Sequence, residues 1–304
     1  MLRYIDHVII GVADLNGAAR DYADRLGFAV SAGGVHPNLG TQNRLIVLDP
    51  EYVELIARLP GHASGAMPAV ESPITSMFVR APGTIGYALA SDDIDADVAA
   101  MRARGVPVGD PVAGRLEGPH GSARGWRMAY VDDDAGLGVE PWRLPFIIQH
   151  DSAGAERRAR IAQPDEVRPQ PNGAARLDHV TVAVRDLAAG LRVYALAFGL
   201  EPLEEGEDTM LGAGAARLPL ERGAIVLAAP LAPDGPLARG LAVHGEGLFS
   251  VTIGVSDLQG AVNQLRGRGA GVRVEEPEGV LIAAYPDRQS AHGARLELIQ
   301  DRKP

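Results

Sequence analysis

The sequence predicts an α+β fold built from four βαβββ units in two pairs. Three observations predict it. The stretch Asp6-His7-Val8-Ile9-Ile10-Gly11-Val12-Ala13-Asp14-Leu15 returns as Asp178-His179-Val180-Thr181-Val182-Ala183-Val184-Arg185-Asp186-Leu187. The match runs on without a gap and pairs Arg20 with Arg192, Tyr22 with Tyr194 and Gly27 with Gly199, as an internal duplication does. Two weaker copies open at Tyr87 and Val251, where Asp93, Val98, Arg102 and Gly105 are matched by Asp257, Val262, Arg266 and Gly269.

The first unit shows how each element is read. Residues 4–12 alternate, with Val8, Ile10 and Val12 on one face and His7, Ile9 and Gly11 on the other, which is the period of a strand. Asp14 fits a helix N-cap, and the helix runs to about Leu26 and ends at Gly27. Phe28–Val30 reads as a second strand, followed by a Gly-rich loop over 33–41. Arg44–Leu48 reads as a third strand, Asp49-Pro50 as a turn and Tyr52–Ala57 as a fourth strand. Arg102, Arg104, Arg266 and Arg268 close helices, where the macrodipole favours positive charge.

The units predict an N-terminal domain over 1–150, with modules of about 1–60 and 76–150 joined by the irregular stretch Pro60–Thr75. A second domain covers 173–304, with modules of about 173–230 and 245–304. Residues 151–172 are polar, Arg-rich and dotted with proline, and read as a surface linker with one short helical turn around Glu156–Ile161.

Composition narrows the function. The 304-residue chain is 46% hydrophobic with mixed charge, which suits a folded protein with full cores. A net charge of −10 argues against a general nucleic-acid or anionic-membrane binder. With no cysteine, disulfides, thiolate metal sites and cysteine nucleophiles are excluded. No signal-peptide pattern and no long apolar run is present, so a cytoplasmic location is the default expectation. The expected partner is a small molecule, and the oligomeric state is open between monomer and homodimer. P-loop, dinucleotide-binding, nucleophile-elbow and calcium-loop patterns are all missing.

Paired βαβββ modules opening on an Asp-His-Val…Asp-Leu strand resemble the vicinal oxygen chelate superfamily. It includes glyoxalase I, extradiol dioxygenases, methylmalonyl-CoA epimerase and the fosfomycin- and bleomycin-resistance proteins. The first half is similar to the glyoxalase-like branch through Gly34–Asn43, Tyr52–Leu55 and Leu144–Ile148, and Gly293–Ile299 is similar to the last strand of many members. The resemblance implies that each pair of modules curls into a cup. It also implies a divalent metal inside (Fe, Mn, Ni, Co or Zn), held by His and Glu from the first and fourth strands.

On that pattern His7 and Glu54 are ligand candidates in the first half, and His179 and Glu297 in the second. His36 is a third ligand or a substrate contact, and Gln149 or His150 could contribute from the end of the second unit. Asn43 and Tyr52 face the cup by alternation. Each half departs from a full set: Gly86 stands opposite His7 in the second unit, Ser250 stands where dioxygenases carry their second His, and Ala224–Leu227 has no carboxylate. His62, His120, His244 and His292 lie in Gly- or Pro-rich loops and read as solvent-exposed.

The expected function is a metal-dependent glyoxalase- or dioxygenase-type enzyme acting on a small molecule with vicinal oxygens. Proton-transfer chemistry of the lyase or isomerase kind, with Glu54 and His36 as catalytic groups, is favoured over oxygen activation. The alternative is a metal-free protein that binds or sequesters a small molecule, as bleomycin-resistance proteins do.

Overall fold

A computed structural model describes residues 2–36, 39–48, 50–60, 82–117, 123–132, 136–138, 143–152 and 169–301. In each unit the opening strand delivers an aspartate to a helix start. Asp14, Asp93, Asp186 and Asp257 each accept a hydrogen bond from the backbone N–H three residues on, at 2.8–3.0 Å. These bonds satisfy donors that an uncapped helix would leave open. The capped helices are α1 (Leu15–Asp24), α2 (Ile94–Ala103), α3 (Leu187–Phe198) and α5 (Leu258–Gly267). Gly27, Gly105, Gly199 and Gly269 follow them in left-handed conformation, with φ between 68 and 82°. A further helix, α4 (Pro236–His244), lies between the third and fourth units.

In the first half, β1 (Leu2–Gly11), β2 (Gly34–His36), β3 (Thr41–Val47) and β4 (Tyr52–Arg58) form one unit. Strands β5 (Gly83–Ser91), β6 (Val112–Glu117), β7 (Ala123–Ala129) and β8 (Phe146–His150) form the other. They close into a barrel in the order β1-β4-β3-β2-β6-β7-β8-β5. The second half contains β9 (Ala174–Ala183), β10 (Glu204–Asp208), β11 (Ala213–Pro219), β12 (Ala224–Pro230), β13 (Gly247–Val255), β14 (Val272–Glu275), β15 (Ala283–Pro286) and β16 (Leu296–Gln300). Its order is β10-β11-β12-β9-β13-β16-β15-β14, an eight-stranded sheet that stays open. The closing contact of the first half is β2 with β6 at Val35 and Glu117, and among the described residues β10 and β14 make no such pair.

Three expectations change. Phe28–Val30 is not a strand, and the second strand is Gly34–His36 inside the Gly-rich stretch. The N–H of Phe28 goes to the Tyr22 carbonyl of the helix, and that of Ala29 to the Gln170 side chain, so neither can join a ladder. The end of the linker is not on the surface: Gln170 and Asn172 are buried, Gln170 also donating to the Val47 carbonyl and Asn172 to that of Leu26. Polar side chains buried there do the hydrogen bonding that a passing loop needs. The helical turn expected at Glu156–Ile161, most of Pro60–Thr75, and His62 and His120 lie outside the described residues.

The third change concerns arginines. Arg104 and Arg268 hold their guanidinium groups against helices of the other half: Arg104 donates to the Leu196 and Ala197 carbonyls at the end of α3, and Arg268 to those of Ala23 and Asp24 at the end of α1. The charge complements a helix C-terminus, but a different one from that expected. His292 likewise meets Asp21 of α1, its Nε2 2.9 Å from the Asp21 carboxylate. The two tyrosines of the duplicated helix do the same work inside. Tyr22 donates to the Ala291 carbonyl at 3.1 Å, and the Tyr194 and Tyr87 hydroxyls meet at 2.7 Å. Both halves therefore share one apolar core running from Ile5 to Leu298.

The Tyr87–Tyr194 pair makes a stability test. Tyr87→Phe or Tyr194→Phe strands one fully buried hydroxyl and should cost about 1–3 kcal/mol. The double variant removes both polar groups and should recover much of that loss. Urea unfolding of the four proteins in a double-mutant cycle measures the coupling.

Candidate active site

The first cup is built around a slip in a ladder. Ile5 pairs with Leu89 and His7 with Ala88, which leaves Asp6 as an extra residue in β1. Such a bulge re-aims the side chains beside it. Asp6 is fully buried, and its Oδ1 lies 2.8 Å from His7 Nδ1 and 3.1 Å from His150 Nε2. A carboxylate only accepts, so both nitrogens donate to it. His7 Nδ1 thus carries a proton, and its Nε2 faces Glu54 Oε2 at 3.8 Å.

His36, on β2, approaches the same carboxylate from the other side, with Nε2 3.8 Å from Glu54 Oε1. Its Nδ1 lies 2.9 Å from Thr41 Oγ1. Burial lowers the His36 pKa below its ordinary 6.5, against the opposing pull of Glu54. Asn43, on β3, donates from Nδ2 to Glu54 Oε1 at 2.7 Å, and its own Oδ1 accepts the Gly34 N–H at 2.9 Å. Gly33 is required beside this pair: its φ is +66°, and a Cβ there would sit 1.9 Å from the Asn43 carbonyl oxygen.

Aromatic rings complete the wall. Tyr52 stacks on the His7 ring with centroids 4.6 Å apart, Phe146 meets His7 edge-on at 5.5 Å, and Trp126 meets His36 at 5.8 Å. The open space among these side chains is about 50 Å³. The structure thus brings His7, His36, Asn43, Tyr52 and Glu54 together in one cup. It adds Asp6, Trp126 and Phe146, which alternation alone does not single out, and of Gln149 and His150 it places His150 in the cup. Gln149 points away, accepting the Ile94 N–H at 3.1 Å at the start of α2, and Gln300 serves α5 in the same way through Leu258.

The second cup repeats the opening and changes the rest. Leu177 pairs with Ile253 and His179 with Thr252, so Asp178 is the extra residue, and its Oδ1 lies 2.8 Å from His179 Nδ1. Burial would raise the Asp178 pKa, but the hydrogen bond from His179 and the charges of His179, Arg176 and Arg217 together hold it well below the usual carboxylate range. Thr252 Oγ1 then bridges His179 Nε2 at 3.1 Å and Glu297 Oε2 at 2.6 Å. Tyr285 donates toward Glu297 Oε1 at 3.1 Å and Glu275 Oε2 at 3.0 Å. One hydroxyl proton cannot serve both His179 and Glu297, so the bridge closes only with one more proton held between them.

The carboxylate has changed strands. Phe146 pairs with Ala88 as Glu297 pairs with Thr252. Val226 on β12 stands where the duplication places Glu54 on β4. Each cup keeps the Asp-His of its first strand and one Glu, on opposite sides.

Two imidazoles flanking a carboxylate are a donor set suited to a divalent transition metal, and a hydrogen-bonded partner on the far nitrogen is what a ligating His carries. The first cup fits in kind, with His7, His36 and Glu54 as donors. In spacing it is wide: among the described residues no group of three His, Cys, Asp or Glu is gathered closely enough to hold a metal. Metal bonds of about 2.1 Å would bring neighbouring donors to about 3–3.4 Å from one another, a contraction of roughly 0.5 Å from the present gaps. The second cup does not fit, because the Thr252 hydroxyl already bonds both donor atoms.

Two family models match the chain, a glyoxalase-like domain over residues 5–177 and the glyoxalase/bleomycin resistance protein/dioxygenase superfamily over 178–300. The chain belongs to the glyoxalase-like, vicinal oxygen chelate superfamily. A hypothetical protein from Staphylococcus aureus, 14% identical, covers 97% of this chain over 99% of its own, with a TM-score of 0.63, and shares the fold. Methylmalonyl-CoA epimerase from Mycobacterium tuberculosis is 25% identical over 43% of this chain and 91% of its own, with a TM-score of 0.40. The epimerase from Streptomyces coelicolor, in complex with 2-nitronate-propionyl-CoA, is 22% identical over 43% and 99%, with a TM-score of 0.39. No curated protein matches. No described helix is long and apolar enough to cross a membrane.

The lowered pKa of His36 has a consequence for stability. The unfolded chain takes up a proton near pH 6.5, whereas the folded chain resists until lower pH. Stability contributed by neutral His36 is therefore full above that value and falls as pH drops through it. Melting temperatures from pH 7.5 to 5 should decline on the acid side in the wild type, and less steeply in His36→Gln.

Proposed function

We propose that the first cup is a proton-transfer site, of isomerase or lyase type, for a small molecule bearing adjacent oxygens. The observation that supports it is Glu54, buried between His7 and His36 and held by Asn43. Asn43 occupies Glu54 Oε1, which leaves Oε2 to take a proton from a carbon next to a carbonyl. The C–H pair becomes the carbon–carbon double bond of an enol, and the carbonyl oxygen accepts a proton from Nε2 of His7 in its doubly protonated form, whose Nδ1–H stays on Asp6. Return of the abstracted proton from Glu54 to the neighbouring carbon, with His7 recovering a proton from the adjacent hydroxyl, completes an isomerisation. Tyr52, Phe146 and Trp126 exclude water from the reacting atoms.

A divalent ion held by His7, His36 and Glu54 would supply Lewis-acid polarisation of the substrate carbonyl in place of the His7 proton. His36 is kept neutral by burial, as either a metal ligand or an acceptor for a substrate hydroxyl must be. Deuterium incorporation from D₂O into α-hydroxy ketones, thiol adducts of α-oxo aldehydes and epimerisable acids tests the reading. Glu54→Gln, nearly isosteric, should lower exchange by about 10²–10⁴-fold while melting cooperatively. Equal exchange in the variant and the wild type would remove Glu54 from the reaction. Equilibrium dialysis with Zn²⁺, Mn²⁺, Ni²⁺ and Co²⁺ should show binding in the wild type that His7→Ala/Glu54→Ala loses.

The alternative of capture without reaction gains support from one feature. The chain is poor in aromatic residues, at 5%, yet Tyr52, Trp126 and Phe146 meet in this cup. Tight binding of planar compounds with no exchange in any of them would favour that reading.

A further inference from the structure

We propose that the second cup is a binding site for an organic anion, a carboxylate or a phosphate monoester with an apolar body, anchored by Arg295. The cavity there is about 800 Å³, which falls within the range of small-molecule sites, roughly 300–1,000 Å³. Leu211, Val226, Pro236 and Val272 give it apolar walls. Arg288 and Arg295 line it, and they also line a smaller cleft between the two halves, so they form a wall that the two spaces share.

Of the cavity's three arginines, Arg273, Arg288 and Arg295, Arg295 is the least exposed. Its guanidinium carbon lies 4.2 Å over the Phe249 ring. Among the described residues its side chain makes no hydrogen bond and no ion pair. The carboxylates of the cavity are already engaged: Asp208 accepts from the Leu211 N–H, Asp287 from Gly271 and Ser290, and Glu297 from Thr252 and Tyr285. Partial burial, with Arg288 and Arg239 nearby, brings the Arg295 pKa down to about 10. A half-buried cation facing like charges is costly until an anion meets it, and a planar fork over an aromatic face matches carboxylate and phosphate oxygens. Replacement of Glu54 by Val226 in this cup leaves no acidic side chain on that wall to repel such a ligand.

The test uses the intact chain and three probes of one shape: benzoate, phenyl phosphate and neutral benzamide. Titration calorimetry and thermal shift should detect benzoate, phenyl phosphate or both, and not benzamide. Which anion binds identifies the head group. Arg295→Gln should weaken binding about 10–100-fold, the loss of a charge-assisted hydrogen-bonded contact. Arg295→Lys keeps the charge and loses the planar fork, so it should retain part of the anion affinity and gives a second reading if Arg295→Gln fails to fold. Benzamide binding as tightly as the anions, no binding of either anion to folded wild type, or unchanged anion affinity in folded Arg295→Gln would each overturn the proposal. This site shares no residue with the first cup, so its failure leaves the proton-transfer reading standing.

Discussion

A buried aspartate beside a histidine is the constraint on which both cups depend. Asp6 and Asp178 each occupy the extra position of a bulge in the central antiparallel ladder of their half. Burying a carboxylate is expensive unless donors surround it, and in each half the neighbouring His Nδ1 is one such donor, at 2.8 Å. That bond turns the imidazole so that Nε2 points into the cup. The chemistry of each half is then set by the group that Nε2 meets: Glu54 in the first, the Thr252 hydroxyl in the second.

From this shared start the halves diverge by substitutions on the cup faces and one strand contact that the second half lacks among the described residues. Ala88 stands across the ladder from His7, so no hydroxyl intervenes, and the carboxylate on β4 faces two imidazoles. Thr252 stands across from His179, and its hydroxyl ties that imidazole to Glu297 on β16. Pairing of β2 with β6 closes the first barrel around about 50 Å³ of space, whereas the second sheet stays open around about 800 Å³. Tight quarters suit a reacting centre that must exclude water, and a roomy cavity suits capture of a whole molecule. Duplication supplied two copies of one frame, and loss of symmetry gave them different donor sets and different room.

The frame is legible in the sequence because its signals are local. Four Asp caps, four left-handed glycines and alternating strands are set by near-neighbour backbone physics, and they recur at constant spacing. His7, Glu54, Asn43 and Tyr52 are legible as cup-facing because a strand side chain points the same way every second residue. Asp6 is not, since strict alternation sends it to the opposite face, and only the bulge breaks that rule. Phe28–Val30 misleads because its apolar residues suit a strand, while its N–H groups are taken by a helix carbonyl and by Gln170 from 141 residues away. Arg104 and Arg268 look like caps of their own helices, and only the packing of the halves sends them across.

The sequence by itself determined the α+β class, the four units, the family, and several of the side chains that face the cups. Those depend on spacing along the chain, which duplication preserved. The tertiary structure decided which of those residues meet. A bulge turns Asp6 toward His7 and His150, the closing strand pair sets the size of each cup, and the ladder puts alanine in one half and threonine in the other opposite the same histidine. Contacts across strands depend on register and closure, and a linear reading contains neither.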